Sequence, residues 1–122
     1  MTTSIAAITF DCHDALRQAR FWSQALDRRV DEGEPAPSEF FARLPSPGPD
    51  SGVPTLMFIK VPEGKSVKNR VHLDLVTDDR EAEVERLKGV GATVIHEKDE
   101  WGLQWVTLAD PEGNEFCLAQ HD

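Results

Sequence analysis

Residues 70–77 read RVHLDLVT. Apolar and polar side chains alternate there: Val71, Leu73 and Leu75 fall on one face, Arg70, His72 and Asp74 on the other. A period of two marks a half-buried strand. A helix start follows at once. Asp78 or Asp79 precedes REAEVERLKGV, where Val84, Leu87 and Val90 recur at helical spacing and Gly91 offers an exit. ATVIHEK, LQWVTLAD and EFCLAQ then read as three strands. The last two are joined at DPEGNE, a turn in which Pro111 is pre-set in φ and Gly113 supplies a positive φ.

Upstream, the same order is met a first time. SIAAITFDC reads as a strand, and Asp14 is placed to cap the helix ALRQARFWSQAL, which ends at Leu26–Asp27. Its buried stripe is expected at Leu16, Ala19, Trp22 and Leu26. RRVDEGE can form a short strand ending before Pro35. SEFFARL and TLMFIKV are the next strands, divided by the loop PSPGPDSGVP. The expected fold class is therefore α+β, with βαβββ modules over about residues 1–62 and 69–122 of one domain.

Composition narrows the function classes. The chain has 122 residues, enough for one core without disulfides. Acidic residues number 22 against 13 basic ones, a net charge of −9 that disfavours nucleic acid and anionic membranes as partners. Cys12 and Cys117 are too few and too far apart for a disulfide framework, which fits a reducing, cytoplasmic setting. The N-terminus lacks a basic leader pattern, and no apolar run reaches membrane-spanning length.

Four stretches in this order, DALRQARFWSQAL, KNRVHLDLVTDD, EVERLKGVGATV and LADPEGNEFCLAQ, carry a family resemblance over almost the whole chain. The sequence resembles the vicinal oxygen chelate superfamily, the glyoxalase, bleomycin-resistance and dioxygenase group, and within it the small glyoxalase-like proteins. The resemblance implies a curled mixed sheet with helices on its convex side and a concave pocket, often with a divalent metal held from both modules, and often a homodimer. The implied ligand positions fall on Ala7, Ile59, His72 and Cys117. Two of these are aliphatic, so the expectation is a pocket without a metal cofactor, the alternative being a divalent metal at His72 and Cys117.

The pocket is expected to bind a small aromatic or anionic organic molecule, as sequestering proteins of the bleomycin-resistance type do. Its expected ligand-binding residues are Arg70, His72, Asp74, Phe41, Ile59, Trp101, Trp105, Glu115 and Cys117. Arg70 reads either as a carboxylate or phosphate anchor or as a rim residue pairing with an acid, and Trp101 and Trp105 with Phe40 and Phe41 either as an aromatic wall or as core packing or a dimer seam. The alternative is an enzyme, a lyase, isomerase, hydrolase or dioxygenase, with His72 as catalytic base or metal ligand. Against a His72–Asp74 pair stands the spacing of alternate strand residues, ~7 Å, too long for a hydrogen bond. Cys117 reads either as a nucleophile or as a small buried side chain.

Overall fold

The computed structural model describes residues 2–48, 50–100 and 103–121, the side chains of 98–100 and 103 excepted. It is α+β and divides into two compact units, Met1–Gly64 and Lys65–Asp122.

In the first unit the order is β1 (Ala7–Cys12), α1 (Ala15–Leu26), β2 (Phe41–Leu44) and β3 (Thr55–Lys60). The sheet runs β1-β3-β2, with β3 parallel to β1 and antiparallel to β2. The Asp14 carboxylate accepts the Arg17 N–H at 3.1 Å and starts α1; Asp27, at φ 53°, ends it in the left-handed region. The helix buries Ala15, Gln18, Ala19, Phe21, Trp22 and Ala25. Expected stripe members Leu16 and Leu26 are only half-buried. Alanines let the helix approach the sheet closely, and Trp22 fills the remaining space against Phe10, which stands edge-on at 5.8 Å. Phe58 and Leu44 complete a fully buried centre.

The strand expected at RRVDEGE is absent. Among the described residues, one backbone bond links that segment to the free edge of β2, from Asp31 N–H to the Arg43 carbonyl at 2.9 Å. The Asp31 carboxylate accepts from the Gly33 N–H at 3.0 Å and from Arg43 Nε at 2.5 Å. That bend turns the chain off the ladder, and Pro35 and Pro37 then withhold two backbone donors. Arg28 closes the loop after β2: its Nη2 donates to the carbonyls of Leu44, Pro45 and Pro54 at 2.9–3.1 Å.

The second unit holds β4 (Asp74–Thr77), α2 (Arg80–Val90), β5 (Thr93–Glu100), β6 (Leu103–Ala109) and β7 (Glu115–Gln120), in sheet order β4-β7-β6-β5. Both units follow one path. A strand leads into a helix that crosses to the far side of the sheet, and antiparallel strands return until the last lies parallel to the first. The first unit lacks the outermost strand of that path. Asp79 caps α2 through the Ala82 N–H at 3.2 Å, and Gly91 ends it at φ 124°. Leu87 is fully buried, while Val84 and Val90 are half-buried. On the core face Val106 pairs with Leu118 and Leu108 with Phe116, all buried.

Strand β4 is shorter than expected. It starts at Asp74; the chain bends at Arg70 and Val71 before it, and the Leu73 carbonyl already accepts the Cys117 N–H at 2.9 Å. Val71, expected against the helix, is 74% exposed.

Candidate functional site

The face of the second sheet opposite its core floors a cavity of about 1040 Å³. Register explains its content. Asp74 pairs with Cys117, Cys117 with Thr107, and Thr107 with His96, so one row of side chains crosses all four strands. Paired residues point to the same face of a sheet. The neighbouring row is Val76, Ala119 and Trp105. All seven of these residues line the cavity, as do His72, Lys68 and Glu115.

The centre of the row is a compact donor cluster. His72, Asp74 and Cys117 each offer one nitrogen, oxygen or sulfur atom, and these atoms lie within 4.8 Å of one another. His72 Nε2 is 3.3 Å from Asp74 Oδ1. The ~7 Å between alternate strand residues is a spacing of backbone positions, and the His72 ring and the Asp74 carboxylate span it with their own length. Thr107 Oγ1 lies 3.6 Å from Cys117 Sγ, in reach of a weak hydrogen bond.

The His72 segment is held to β7 by the Cys117 N–H, which donates to the Leu73 carbonyl at 2.9 Å, and by side chains. Asn69 Nδ2 donates to the Glu115 carbonyl at 3.1 Å, and Asn69 Oδ1 accepts the Glu115 N–H at 3.3 Å. The amide thus imitates a strand partner just beyond the end of the ladder. Lys68 Nζ reaches Glu115 Oε1 at 2.9 Å. That hydrogen bond, then the Lys68 charge, holds the Glu115 carboxyl below the usual carboxylate range. Lys68 and Glu115 therefore compensate each other.

Among the expected site residues, His72, Asp74, Trp105, Glu115 and Cys117 share this cavity. Arg70 does not line it and is exposed in the bend. Phe41 and Ile59 belong to the first unit, where they are cross-strand partners. Trp101 lies outside the described residues. Arg80 and His96 are among the lining residues that escaped sequence reasoning. Arg80, the first residue of α2, has no ion-pair partner among the described residues. His96 reaches the cavity row because β5 slips register between Val94 and His96. Strict alternation from the inward Val94 would send His96 to the core face; the bulge reverses it.

The residues do not fit the hard divalent metal that the resemblance implies. Ala7 and Ile59 carry no donor atom, and Cys117 offers sulfur where manganese or magnesium prefers oxygen.

The model of the glyoxalase-like domain family matches residues 7–119. No curated protein matches the chain. Among solved structures, a glyoxalase/bleomycin resistance protein/dioxygenase family enzyme from Burkholderia phytofirmans is similar at TM-score 0.69 and 21% identity, covering 94% of this chain and 96% of that one. A glyoxalase-related enzyme from Fulvimarina pelagi gives 0.71 and 16%, covering 98% and 89%. A fosfomycin resistance protein from Listeria monocytogenes, complexed with Mn(II) and a dihydroxypropylphosphonic acid, gives 0.73 and 12%, covering 98% and 90%. At these identities the likeness is one of fold. The family match extends over nearly the whole chain, and the chain belongs to the glyoxalase-like domain family.

Proposed function

We propose that this glyoxalase-like protein binds a small organic anion with a planar apolar face in the cavity of its second unit, without the family's hard divalent metal, as a cytoplasmic homodimer. One observation carries the reading. The cavity sets an indole, Trp105, and a guanidinium without an ion-pair partner among the described residues, Arg80, around a single space. The chain's net charge of −9 repels anions at long range, so an anionic ligand needs such a local cation. Arg80 can grip a carboxylate or phosphonate with two parallel N–H donors while an aromatic ring lies on Trp105. Both cysteines are free, in keeping with a reducing compartment, and no helix of the described residues is long and apolar enough to cross a membrane.

Titration of tryptophan emission with benzoate, naphthoate and phenylphosphonate tests the proposal. Saturable binding is expected, weakened roughly 10–100-fold in Arg80→Gln, as for loss of a charged hydrogen bond. Equal affinity in wild type and Arg80→Gln, or no saturation by any of the three, refutes it. Light scattering at several concentrations decides the dimer.

A second reading, an enzyme with His72 as general base, draws on the 3.3 Å contact to Asp74. It requires His72-dependent deuterium uptake at an acidic carbon of a bound carbonyl compound. Uptake that persists in His72→Gln counts against it.

A further inference from the structure

We infer that Cys117 is a nucleophile, its thiol adding to small α,β-unsaturated carbonyl compounds that enter the cavity of the second unit, with His72 as the general base. The inference needs no grip on an anion by Arg80, so it stands or falls apart from the proposed binding function.

The two thiols of the chain stand in opposite settings. Cys12 is 3% exposed, and its thiol turns to the Ile59 carbonyl at 3.5 Å. Such a cysteine packs as a small apolar residue. Cys117 is half-buried and lines the cavity, which at about 1040 Å³ leaves room for an organic electrophile beside the sulfur.

An activated thiol needs a base within reach and a third group that orients the base. Cys117 Sγ, one imidazole nitrogen of His72 and one carboxylate oxygen of Asp74 lie within 4.8 Å of one another. The His72 side chain is half-exposed, so turning its ring can close the remaining gap to sulfur when an electrophile is bound. Asp74 Oδ1, 3.3 Å from His72 Nε2, attracts the imidazolium that forms when the ring takes the thiol proton. Pairing with β4 sets Asp74 on one side of Cys117, and pairing with β6 sets Thr107 on the other. Thr107 is buried, and its hydroxyl, 3.6 Å from the sulfur, can donate its hydrogen as negative charge builds there.

The step balances without a further reactant. His72 takes the thiol proton as an S–C bond forms at the β-carbon. The π pair of the C=C bond moves to the α-carbon as an enolate, and His72 returns the proton there. Nothing is oxidised or reduced, and the product is a thioether of Cys117.

The Cys12→Ser chain, in which Cys117 is the single thiol, is treated with acrylamide, and the adduct is followed by intact mass, once folded and once unfolded in urea at the same pH. A positioned general base contributes about 10²–10⁴-fold. At a half-exposed site, a folded chain reacting at least about 10-fold faster than the unfolded one is expected. A thiol that is only accessible gains nothing from folding. His72→Gln should bring the folded rate down to the unfolded one. If His72→Gln fails to fold, Asp74→Asn, at a side chain 76% exposed, should slow the reaction at least about 3-fold. Peptide mapping of the wild-type chain reads the same rates without the Cys12 substitution. A folded rate no higher than the unfolded one, a rate indifferent to His72→Gln, or an adduct formed first at Cys12 overturns the inference.

Discussion

Replacing Asn69 by alanine should loosen the second unit and its donor cluster together. Asn69 makes three hydrogen bonds: to the Glu115 carbonyl at 3.1 Å, from the Glu115 N–H at 3.3 Å, and to the Val71 carbonyl at 3.2 Å. A net contribution of about 0.5–1.5 kcal/mol per bond gives ~1.5–4.5 kcal/mol for three. The bond to Val71 is exposed, and the other two are only partly buried. Water can replace part of what is lost, so about 1.5–2 kcal/mol is the expected destabilisation. Chemical denaturation measures it as a lowered midpoint at constant slope. The same substitution loosens the segment that carries His72, while the Cys117 N–H still holds the Leu73 carbonyl at 2.9 Å. A variant with the wild-type midpoint would falsify the account of the clip.

Other substitutions test the scaffold. Phe58→Ala, at a fully buried position meeting Phe10 at 5.3 Å, should cost about 3–5 kcal/mol and be read as a lower thermal midpoint. Asp27→Gly relieves a left-handed residue at the end of α1 and should stabilise by about 0.5–1 kcal/mol in urea denaturation. Glu115→Gln should cost ~0.5 kcal/mol at neutral pH, as a largely solvated pair does. Lys68 lowers the folded Glu115 pKa below its unfolded value, so that stabilisation is present above the ordinary carboxylate range and lost as pH falls through the folded value. The gap between wild type and Glu115→Gln should therefore close on acidification; a gap that widens contradicts the assignment.

Local rules found what is local. Asp14 and Asp79 cap their helices, and Gly91 ends the second. Alternation put Val106, Leu108, Phe116 and Leu118 on the buried face and Trp105, Glu115 and Cys117 on the other. These features depend on a residue and its neighbours within a turn or a pleat. The strand expected at RRVDEGE failed for a reason outside that range. Asp31 finds Arg43 and Gly33, and the bend they make competes with the ladder.

The site itself came from pairing between distant segments. The sequence alone determined which residues carry chemistry and which face of a strand most of them take, because side-chain type and a period of two are local. Tertiary structure decided which of them meet. Parallel registry set Asp74 beside Cys117 across 43 residues of chain. A bulge turned His96 into the cavity, the His72 ring reached the Asp74 carboxylate, and the start of α2 brought Arg80 to the cavity while Arg70 stayed outside its lining. Register, bulges and bends are fixed by the hydrogen bonds of the partner strand, and no pattern within one strand encodes its partner.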